Sequence, residues 1–516
     1  MAVLGDTRVT VSDGMAEYGR RPSMSLLRER SQGVLRGLGG NSRRLLADVR
    51  TFWRRPNGLL TRLTDGGAMT NWFGGGDTKH PVEVKRLFTT FAYLVASQGS
   101  TAIIGLGFWV VTTHLFSPEA VGLSAAAAST AMLLAAFGAL GVPLFLLAEI
   151  ERIDPIEQRV VFTTGNAIAA FVVLILAFGT VLLSPFLGTS LRIIGADPVM
   201  AVFFVIGSVA TMAGLTLDDA ALGLRRGPAQ LWRGTLSSLL KFACVAVLIL
   251  ISVRTGAGLI FAWAIALVAA YFFCMPMLGL TRTPRELGTT GHRTELVHRY
   301  GLLSLQHHVL QLSISAVSFM IPLVATVLIS PSQVAFFSAS YLLASVILVV
   351  PYLLAISLFA ERSGDAGLLS RNVRRTLPLG IAFVGAIVLV VEIAAPMALR
   401  LFGPAYAANG TTALRLLILT GPAYVIKDHY VSIRRAQHRM SQGAVIMGVG
   451  TAVEVAGAAV GGAAWGLNGI CLGWAFSASC VALFLIPAVL EVWRHPAAAG
   501  DAEVRSPELS DSVVGG

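Results

Sequence analysis

Charged residues are scarce in this sequence: Asp, Glu, Lys and Arg together make up 13% of its 516 residues, whereas a soluble globular domain carries about a quarter. The deficit is concentrated in residues 87–490, where apolar runs follow one another at or above the roughly 20 residues that a bilayer-spanning helix needs. This composition excludes an ordinary soluble domain and predicts a polytopic membrane protein.

Cysteine is also scarce, and the motifs of common enzyme classes are missing. The chain contains no Walker A, GxSxG, CxxC or HExxH pattern, and no connection within 87–490 is long enough for a catalytic domain. We therefore expect a protein that is not an enzyme, needs no cofactor or metal ion and takes no energy from ATP within this chain. All four cysteines lie inside apolar runs and predict no disulfide framework; they are Cys244, Cys274, Cys471 and Cys480.

The apolar runs are predicted to be helices, because backbone polar groups in lipid must be satisfied within the segment. Ala, Leu, Val and Gly fill them without the period-2 alternation of membrane strands. The fold class predicted is therefore an all-α integral membrane protein with twelve transmembrane helices. The predicted spans are 87–115, 120–147, 160–187, 199–222, 236–253, 259–280, 302–329, 334–360, 377–399, 413–433, 444–464 and 470–489.

Basic residues in the connections give the predicted orientation. Seventeen Arg and Lys fall on one side of the twelve spans, against Arg192, Arg254 and Arg400 on the other. Since basic loops stay on the cytoplasmic side, both termini are expected in the cytoplasm. The predicted division is a basic N-terminal region at 1–86, six spans within 87–280, a cytoplasmic linker at 281–301, six spans within 302–490 and a C-terminal tail at 491–516.

The N-terminal region carries 15 Arg and Lys against 8 Asp and Glu. It has no apolar signal-peptide core, so the first span is expected to serve as its own insertion signal. Residues 43–55 form a basic amphipathic pattern that fits a helix lying on anionic phospholipid. The alternative is a disordered tail that only satisfies the positive-inside bias. Nucleic acid is not expected as a partner, because the membrane surface accounts for the charge.

The two sets of six spans are related by an internal repeat at offsets of 209 to 213 residues. Since each half has six spans, both halves enter the membrane in the same direction, and their symmetry axis runs along the membrane normal. Parallel repeats of this kind are a transporter architecture with the substrate site between the halves, although a membrane scaffold could also arise by duplication. The matching features are 117–122 with 330–335, Pro185 with Pro396, Asp219 with Asp428, and Trp263 with Trp474.

A polar face on span 7 predicts a cavity. Span 1 carries Gln98 and Thr101 at similar depth, and Gln98 is the repeat equivalent of Gln311. We expect spans 1 and 7 to contact the hydroxyl or amide groups of a substrate; the alternative is hydrogen bonding between packed helices. The face repeats at helical spacing and comprises Ser304, His308, Gln311, Ser315 and Ser318. His308 could act as a proton relay or as a hydrogen-bonded structural residue.

Charges within membrane spans usually face the protein interior, and five ionisable residues of the predicted spans stand out: Lys241, Glu392, Arg415, Lys427 and Glu454. The cations of Lys241 and Arg415 suit an anionic lipid headgroup. Glu392 and Glu454 could pair with them, or bind a proton or Na⁺. Lys427, near the expected cytoplasmic end of its span, is expected to snorkel to the surface.

Two acid–base sets are candidates for a cytoplasmic gate. Asp219 and Arg226 are seven residues apart, as are Asp428 and Arg435, and this spacing places each set on one helix face. We expect the sets to form bridges between the halves, or else to anchor helix ends.

Four segments carry a resemblance to a known family: HLFSPEAVG at 114–122, LDDAALGLRRG at 217–227, LRLFGPAY at 399–406 and GLNGICLGWA at 466–475. With the layout of six plus six spans, residues 87–490 resemble the polysaccharide-flippase (Wzx-like) branch of the multidrug/oligosaccharidyl-lipid/polysaccharide exporter superfamily. Fourteen-span lipid II flippases fit this count of spans less well.

The resemblance implies a V-shaped, two-lobed bundle whose spans 1 and 7 line a central cavity. It implies that a lipid-linked oligosaccharide, carried on a polyprenyl phosphate, is flipped across a bacterial cytoplasmic membrane for envelope polysaccharide biosynthesis. Glycosyltransferases or a polysaccharide polymerase are then candidate partners. Two alternatives stay open. One is a cation-coupled drug or metabolite exporter of the same superfamily, disfavoured because spans 1 to 3 lack carboxylates in their interiors. The other is a non-transporting scaffold that docks through residues 1–86.

Overall fold

A computed structural model of the chain describes residues 104–280, 290–357, 366–437 and 439–494. Every regular element within these ranges is a helix, and the helices occur in the order of the predicted spans. Residues 1–103, including Gln98 and Thr101, lie outside the described part. The helices are α1 (Ile104–Leu115), α2 (Pro118–Gly138), α3 (Val142–Glu149), α4 (Pro155–Leu183), α5 (Thr189–Ala196), α6 (Pro198–Gly223), α7 (Gly227–Leu250), α8 (Gly256–Cys274), α9 (Thr290–Leu328), α10 (Pro331–Ser357), α11 (Ala366–Arg400), α12 (Pro404–Ile418), α13 (Gly421–Ala436) and α14 (Met440–Arg494).

The described helices have the length and hydropathy of membrane spans. Seven of them are long and apolar enough to cross a bilayer, and α9 joins them if its two bent parts count as one span. α14 is 55 residues long and contains both of the last two predicted spans. Between these spans the helix is interrupted at Trp465 and Gly466, whose backbone angles are not helical. The chain is therefore an all-α, multi-pass membrane protein.

Short-range sequence signals fix where several spans begin. Ser117 caps α2 by accepting a hydrogen bond from the amide of Ala120, and Pro118 occupies the first turn. Asp197 caps α6 in the same way, accepting from the amides of Val199 and Met200 at 2.8 and 3.1 Å. A capping side chain followed by proline satisfies amides that the helix itself leaves free, so these helices start at sharp positions.

Some predicted spans are interrupted in the structure. Span 2 breaks into α2 and α3 at Leu140 and Gly141, whose φ angles are +52° and +77°. Glycine is required at the second position, since a Cβ on Gly141 would lie 2.0 Å from the carbonyl oxygen of Ser304. Span 10 breaks between α12 and α13, just before Pro422, which cannot donate to the preceding turn.

Two further differences concern the connections. Residues 189–196 form the short helix α5 before the fourth span, although only a loop separates the spans there in the sequence prediction. α9 begins at Thr290, inside the segment expected to be a linker, and its first turns pack against α3 of the first half.

The two halves meet along their repeat-related helices. α2 packs against α10 and α9, while α6 and α8 surround α2 within the first half, and α12 and α13 flank α10 within the second. At the start of α2, a Cβ on Gly122 would lie 1.7 Å from the carbonyl oxygen of Pro331. Only a glycine permits this approach, so the halves touch backbone to backbone at the ends of α2 and α10.

Candidate functional site

A cavity of about 660 Å³ lies between the two halves. The first half lines it with α1 and α2, including Trp109, Thr113 and Ser129, and the second half lines it with α9, α10, α13 and α14. The second half thus supplies most of the wall. The contact of Gly122 with Pro331 lies beside one end of the cavity, because the neighbouring Val121 and Ala335 are part of its lining.

The predicted polar face of span 7 divides between two environments. Gln311, Ser315 and Ser318 line the cavity, and the Gln311 amide donates to the Ser315 hydroxyl at 3.0 Å. Ser304 is buried away from the cavity, where its hydroxyl donates to the carbonyl oxygen of Leu140 at 2.8 Å. His308 packs against the same turn, since a Cβ on Gly141 would lie 2.9 Å from the Cβ of His308. Both tie α9 to the turn between α2 and α3, as expected for structural residues, and the role of Gln311 and Ser315 toward a substrate stays a prediction.

Three aromatic side chains, Tyr341, Tyr424 and Trp474, also line the cavity and form an aromatic wall. The Tyr341 and Trp474 rings lie 6.0 Å apart, and the Tyr424 and Trp474 rings 6.1 Å apart. The Tyr341 hydroxyl donates to the carbonyl oxygen of Ser318 at 3.0 Å, which orients its ring. The sequence does not predict this wall. Trp474 is recognisable only as the repeat match of Trp263, and the three aromatic residues lie on different helices, so no spacing along one helix connects them.

A buried ion pair lies directly behind the aromatic wall. Lys427 on α13 and Glu454 on α14 form a salt bridge, with side chains 2% and 0% exposed. The second carboxylate oxygen of Glu454 accepts from the Trp474 indole at 3.0 Å, and the Lys427 ammonium lies 4.4 Å from the centre of the Tyr424 ring. The expectation that Lys427 snorkels to the surface is wrong, because the carboxylate of α14 is within its reach.

The other intramembrane charges lie away from the cavity lining. Arg415 pairs with Glu392, its Nε lying 3.4 Å from the carboxylate and donating to the backbone oxygen of Glu392 at 2.9 Å. This corresponds to the structural alternative of ion pairing. Lys241 on α7 is half-buried and forms no ion pair or hydrogen bond within the described residues, and it is not part of the cavity wall.

The two candidate gate sets differ in structure. Asp428 and Arg435 both lie on α13 and both line the cavity. Asp219 lies on α6, but that helix ends at Gly223. Arg226 therefore does not share a helix face with Asp219, and this expectation is wrong: its guanidinium donates to the carbonyl oxygens of Met277 and Leu278, beyond the end of α8.

Asp218, next to Asp219, carries the acid–base contact of this region. Its carboxylate forms a salt bridge with Arg233 on α7. Within the described part of the chain, none of the four gate candidates takes part in a salt bridge between the halves; the pairs Arg233–Asp218, Arg415–Glu392 and Lys427–Glu454 each lie within one half.

Comparison with known proteins places the fold. No family model matches the sequence, and no curated protein matches it. Among solved structures, the chain is similar to an inward-facing multidrug resistance MATE family transporter of the MOP superfamily, with a TM-score of 0.55 and 16% identity over 81% of this chain and 96% of that one. It is likewise similar to the lipid II flippase MurJ in an inward closed conformation, with a TM-score of 0.57 and 12% identity over 79% of this chain and 91% of that one. The chain therefore has the fold of MOP-type transporters. The predicted count of twelve spans fits fourteen-span lipid II flippases less well, yet MurJ is as similar in fold as the multidrug transporter.

Proposed function

We propose that this protein is a membrane transporter that flips a lipid-linked oligosaccharide across the cytoplasmic membrane of a bacterium, for envelope polysaccharide biosynthesis. The observation that carries the proposal is the cavity between the two halves, whose wall combines hydroxyl and amide groups with aromatic rings. The fold supports it, because parallel repeats hold the substrates of transporters between them.

The chemistry of the wall suits a carbohydrate. Hydroxyls and amides, such as those of Gln311, Ser315 and Ser432, can replace the water that surrounds sugar hydroxyls, and burying such groups without partners is costly. The faces of Tyr424 and Trp474 can pack against the C–H faces of sugar rings. The volume of about 660 Å³ falls within the range of small-molecule sites, which corresponds to a few sugar units in the cavity at one time.

The orientation and partners follow from the same proposal. The arginine-rich side faces the cytoplasm, so the substrate is loaded there, after glycosyltransferases have assembled it. The basic region at 1–86 binds anionic phospholipid, and a polysaccharide polymerase takes over the flipped product.

A reconstituted flipping assay tests the proposal. The full chain is placed in liposomes with a fluorescent polyprenyl-diphosphate oligosaccharide, and its transfer is followed by loss of fluorescence to a membrane-impermeant quencher. We expect protein-dependent transfer that Gln311→Leu slows at least tenfold, because leucine removes the amide and is well tolerated in a membrane helix. Ser313→Ala is the matched control: Ser313 lies on α9, outside the cavity wall, and hydrogen-bonds to Val309. Equal transfer in protein-free liposomes would contradict the proposal.

A cation-coupled drug exporter is the second candidate, and one observation favours it. Asp428 lies in the cavity wall one helical turn after Tyr424 on α13, and a carboxylate beside an aromatic ring can help to hold an organic cation. Cells that express the chain would then accumulate less ethidium, and Asp428→Asn would abolish the difference. Unchanged ethidium accumulation, together with flipping in liposomes, would exclude this candidate.

A further inference from the structure

Basic side chains are concentrated on the outer surface of the second half, at the start of α11. Residues 366–380 contain three arginines and no acid. Two of these arginines, Arg371 and Arg375, are exposed and lie one turn apart, and neither forms an ion pair with any residue in the described part of the chain. Like charges at this spacing repel each other. An anion from outside the chain would remove this repulsion.

The end of α14 adds a fourth arginine to this surface. The guanidinium of Arg374 donates to the carbonyl oxygen of Trp493 at 2.6 Å and to that of Arg494 at 3.4 Å. These bonds occupy Arg374 and hold Arg494, which is itself exposed, beside the two exposed arginines of α11. Glu491 is the one acid in the last two turns of α14, so the surface keeps a net positive charge.

An apolar face of α11 continues directly from these arginines. Leu379 and Phe383 follow Arg375 at intervals of four residues, which places them on the same side of the helix, and both are exposed. The exposed face extends along the span through Val390, Ile393 and Met397. In a bilayer such a face contacts acyl chains, and the arginines lie at the depth of the headgroups. The surface therefore matches an amphiphile with an anionic head better than a soluble ion.

The repeat-equivalent helix of the first half differs in charge. α4 also presents an exposed apolar face, which includes Phe171 and Phe178. Its start, at 154–159, carries two acids and one arginine, whereas the start of α11 carries arginines alone. The general preference for basic residues on the cytoplasmic side acts on both helices. That preference does not explain why the cations are concentrated on the second half.

We propose that this surface is a binding site for an anionic phospholipid. Its phosphate would contact Arg371, Arg375 and Arg494, while its acyl chains lie along Leu379 and Phe383. Basic clusters beside membrane helices attract anionic headgroups, and a guanidinium donates paired hydrogen bonds to a phosphate. The site lies outside the cavity between the halves and does not depend on the proposed function.

Lipid binding to the full chain in uncharged detergent micelles tests the site. Native mass spectrometry is used to follow titrations with phosphatidylglycerol and with phosphatidylcholine, and we expect the first to bind more tightly. The double variant Arg371→Gln with Arg375→Gln should weaken phosphatidylglycerol binding at least tenfold, because each basic residue at a membrane surface contributes a factor of about five. Arg371→Lys with Arg375→Lys keeps both charges and should retain most of the binding. Arg152→Gln is the matched control, since Arg152 is an exposed arginine of the first half.

Melting curves in phosphatidylcholine nanodiscs give a second readout. A ligand that binds only the folded chain raises its melting temperature, so added phosphatidylglycerol should stabilise the unmodified chain and the Arg152→Gln variant more than the double glutamine variant. Curves without phosphatidylglycerol establish that each variant is folded.

The outcomes separate a lipid from a free ion and from general attraction to the surface. Equal affinity for the two lipids, or equal losses for Arg152→Gln and the double glutamine variant, would overturn the site. Inorganic phosphate serves as the competitor: if it displaces phosphatidylglycerol at equal concentration, the anion is a free ion and the lipid assignment is wrong. Selective loss in the double glutamine variant, with binding retained in the lysine variant, supports the proposal.

Discussion

Replacement of Lys427 by methionine should strongly destabilise the second half of the protein. The lysine and Glu454 are 2% and 0% exposed, so the change would leave a carboxylate buried with only the Trp474 indole as a donor. Breaking a buried ion pair by removing one partner costs about 3–5 kcal/mol. Glu454→Gln should cost a similar amount, because it leaves the ammonium unpaired.

The double variant gives the sharper test. In Lys427→Met with Glu454→Gln no buried charge is left, and the glutamine oxygen can still accept from the Trp474 indole. We therefore expect it to recover more than half of the free energy of unfolding lost in either single variant. An exposed pair is the control: Arg225 and Glu151 are 58% and 51% exposed, and pairs of this kind contribute about 0–1 kcal/mol, so Glu151→Gln should have little effect.

Reversible unfolding in mixed micelles, followed by circular dichroism, gives the four free energies of this cycle. The coupling energy is the difference between the effect of the double variant and the summed effects of the single variants. Hydrogen bonds between membrane helices average about 0.6 kcal/mol, so a coupling energy below about 1 kcal/mol would show that the ion pair is no stronger than such a hydrogen bond and would refute the reasoning. A double variant less stable than both single variants would show that Trp474 needs the carboxylate itself.

Three further predictions follow from packing and from the N-terminal region. Gly122→Leu should keep the ends of α2 and α10 apart, because a Cβ there would lie 1.7 Å from the Pro331 carbonyl oxygen; cross-linking of cysteines placed at the two helix ends should fall, and unchanged cross-linking would contradict this. Gly461→Leu should lower the melting temperature, since a Cβ would lie 2.1 Å from the Gly469 carbonyl oxygen between the two arms of α14; Gly385→Leu, which meets open space, is its control. Deletion of residues 1–80 should leave flipping in liposomes largely intact, and a complete loss would favour a role beyond membrane binding.

The helical architecture could be predicted from the sequence because it depends on short-range information. Apolar runs give the spans, and pairs such as Ser117–Pro118 and Asp197–Pro198 mark where helices begin. The polar spacing on α9 also pointed to Gln311 and Ser315, which line the cavity. The breaks were harder to predict, since the one at Gly141 depends on the backbone of Ser304, which is distant in sequence.

The partners of the charged residues could not be predicted, because spacing along one helix does not say what faces it. The position of Lys427 near the expected end of a span predicts a side chain that reaches the surface, although Glu454 on the neighbouring helix neutralises it. The spacing of seven residues predicts that Arg226 shares a face with Asp219, although α6 ends between them. Contacts of this kind depend on how helices pack, and a single sequence carries no direct record of that.

Comparison of the two halves shows which contacts of charged residues are present in both halves and which are present in only one. Asp218 and Lys427 occupy equivalent places in the repeat, one residue before Asp219 and Asp428, yet they carry opposite charges. Each still forms an ion pair with the next helix, Asp218 with Arg233, which is partly exposed, and Lys427 with Glu454, which is fully buried. The pair ties the fourth and fifth helices of each half together, and either polarity serves that purpose. The arginines near the ends of the fourth helices, Arg226 and Arg435, make different contacts.

Arg226 donates hydrogen bonds to backbone carbonyl oxygens in the first half, whereas Arg435 lines the cavity in the second. The structural pair was thus retained in both halves, while an arginine that lines the cavity is found at only one of these two equivalent positions. A molecule bound between the halves would therefore meet an asymmetric site inside a nearly symmetric scaffold.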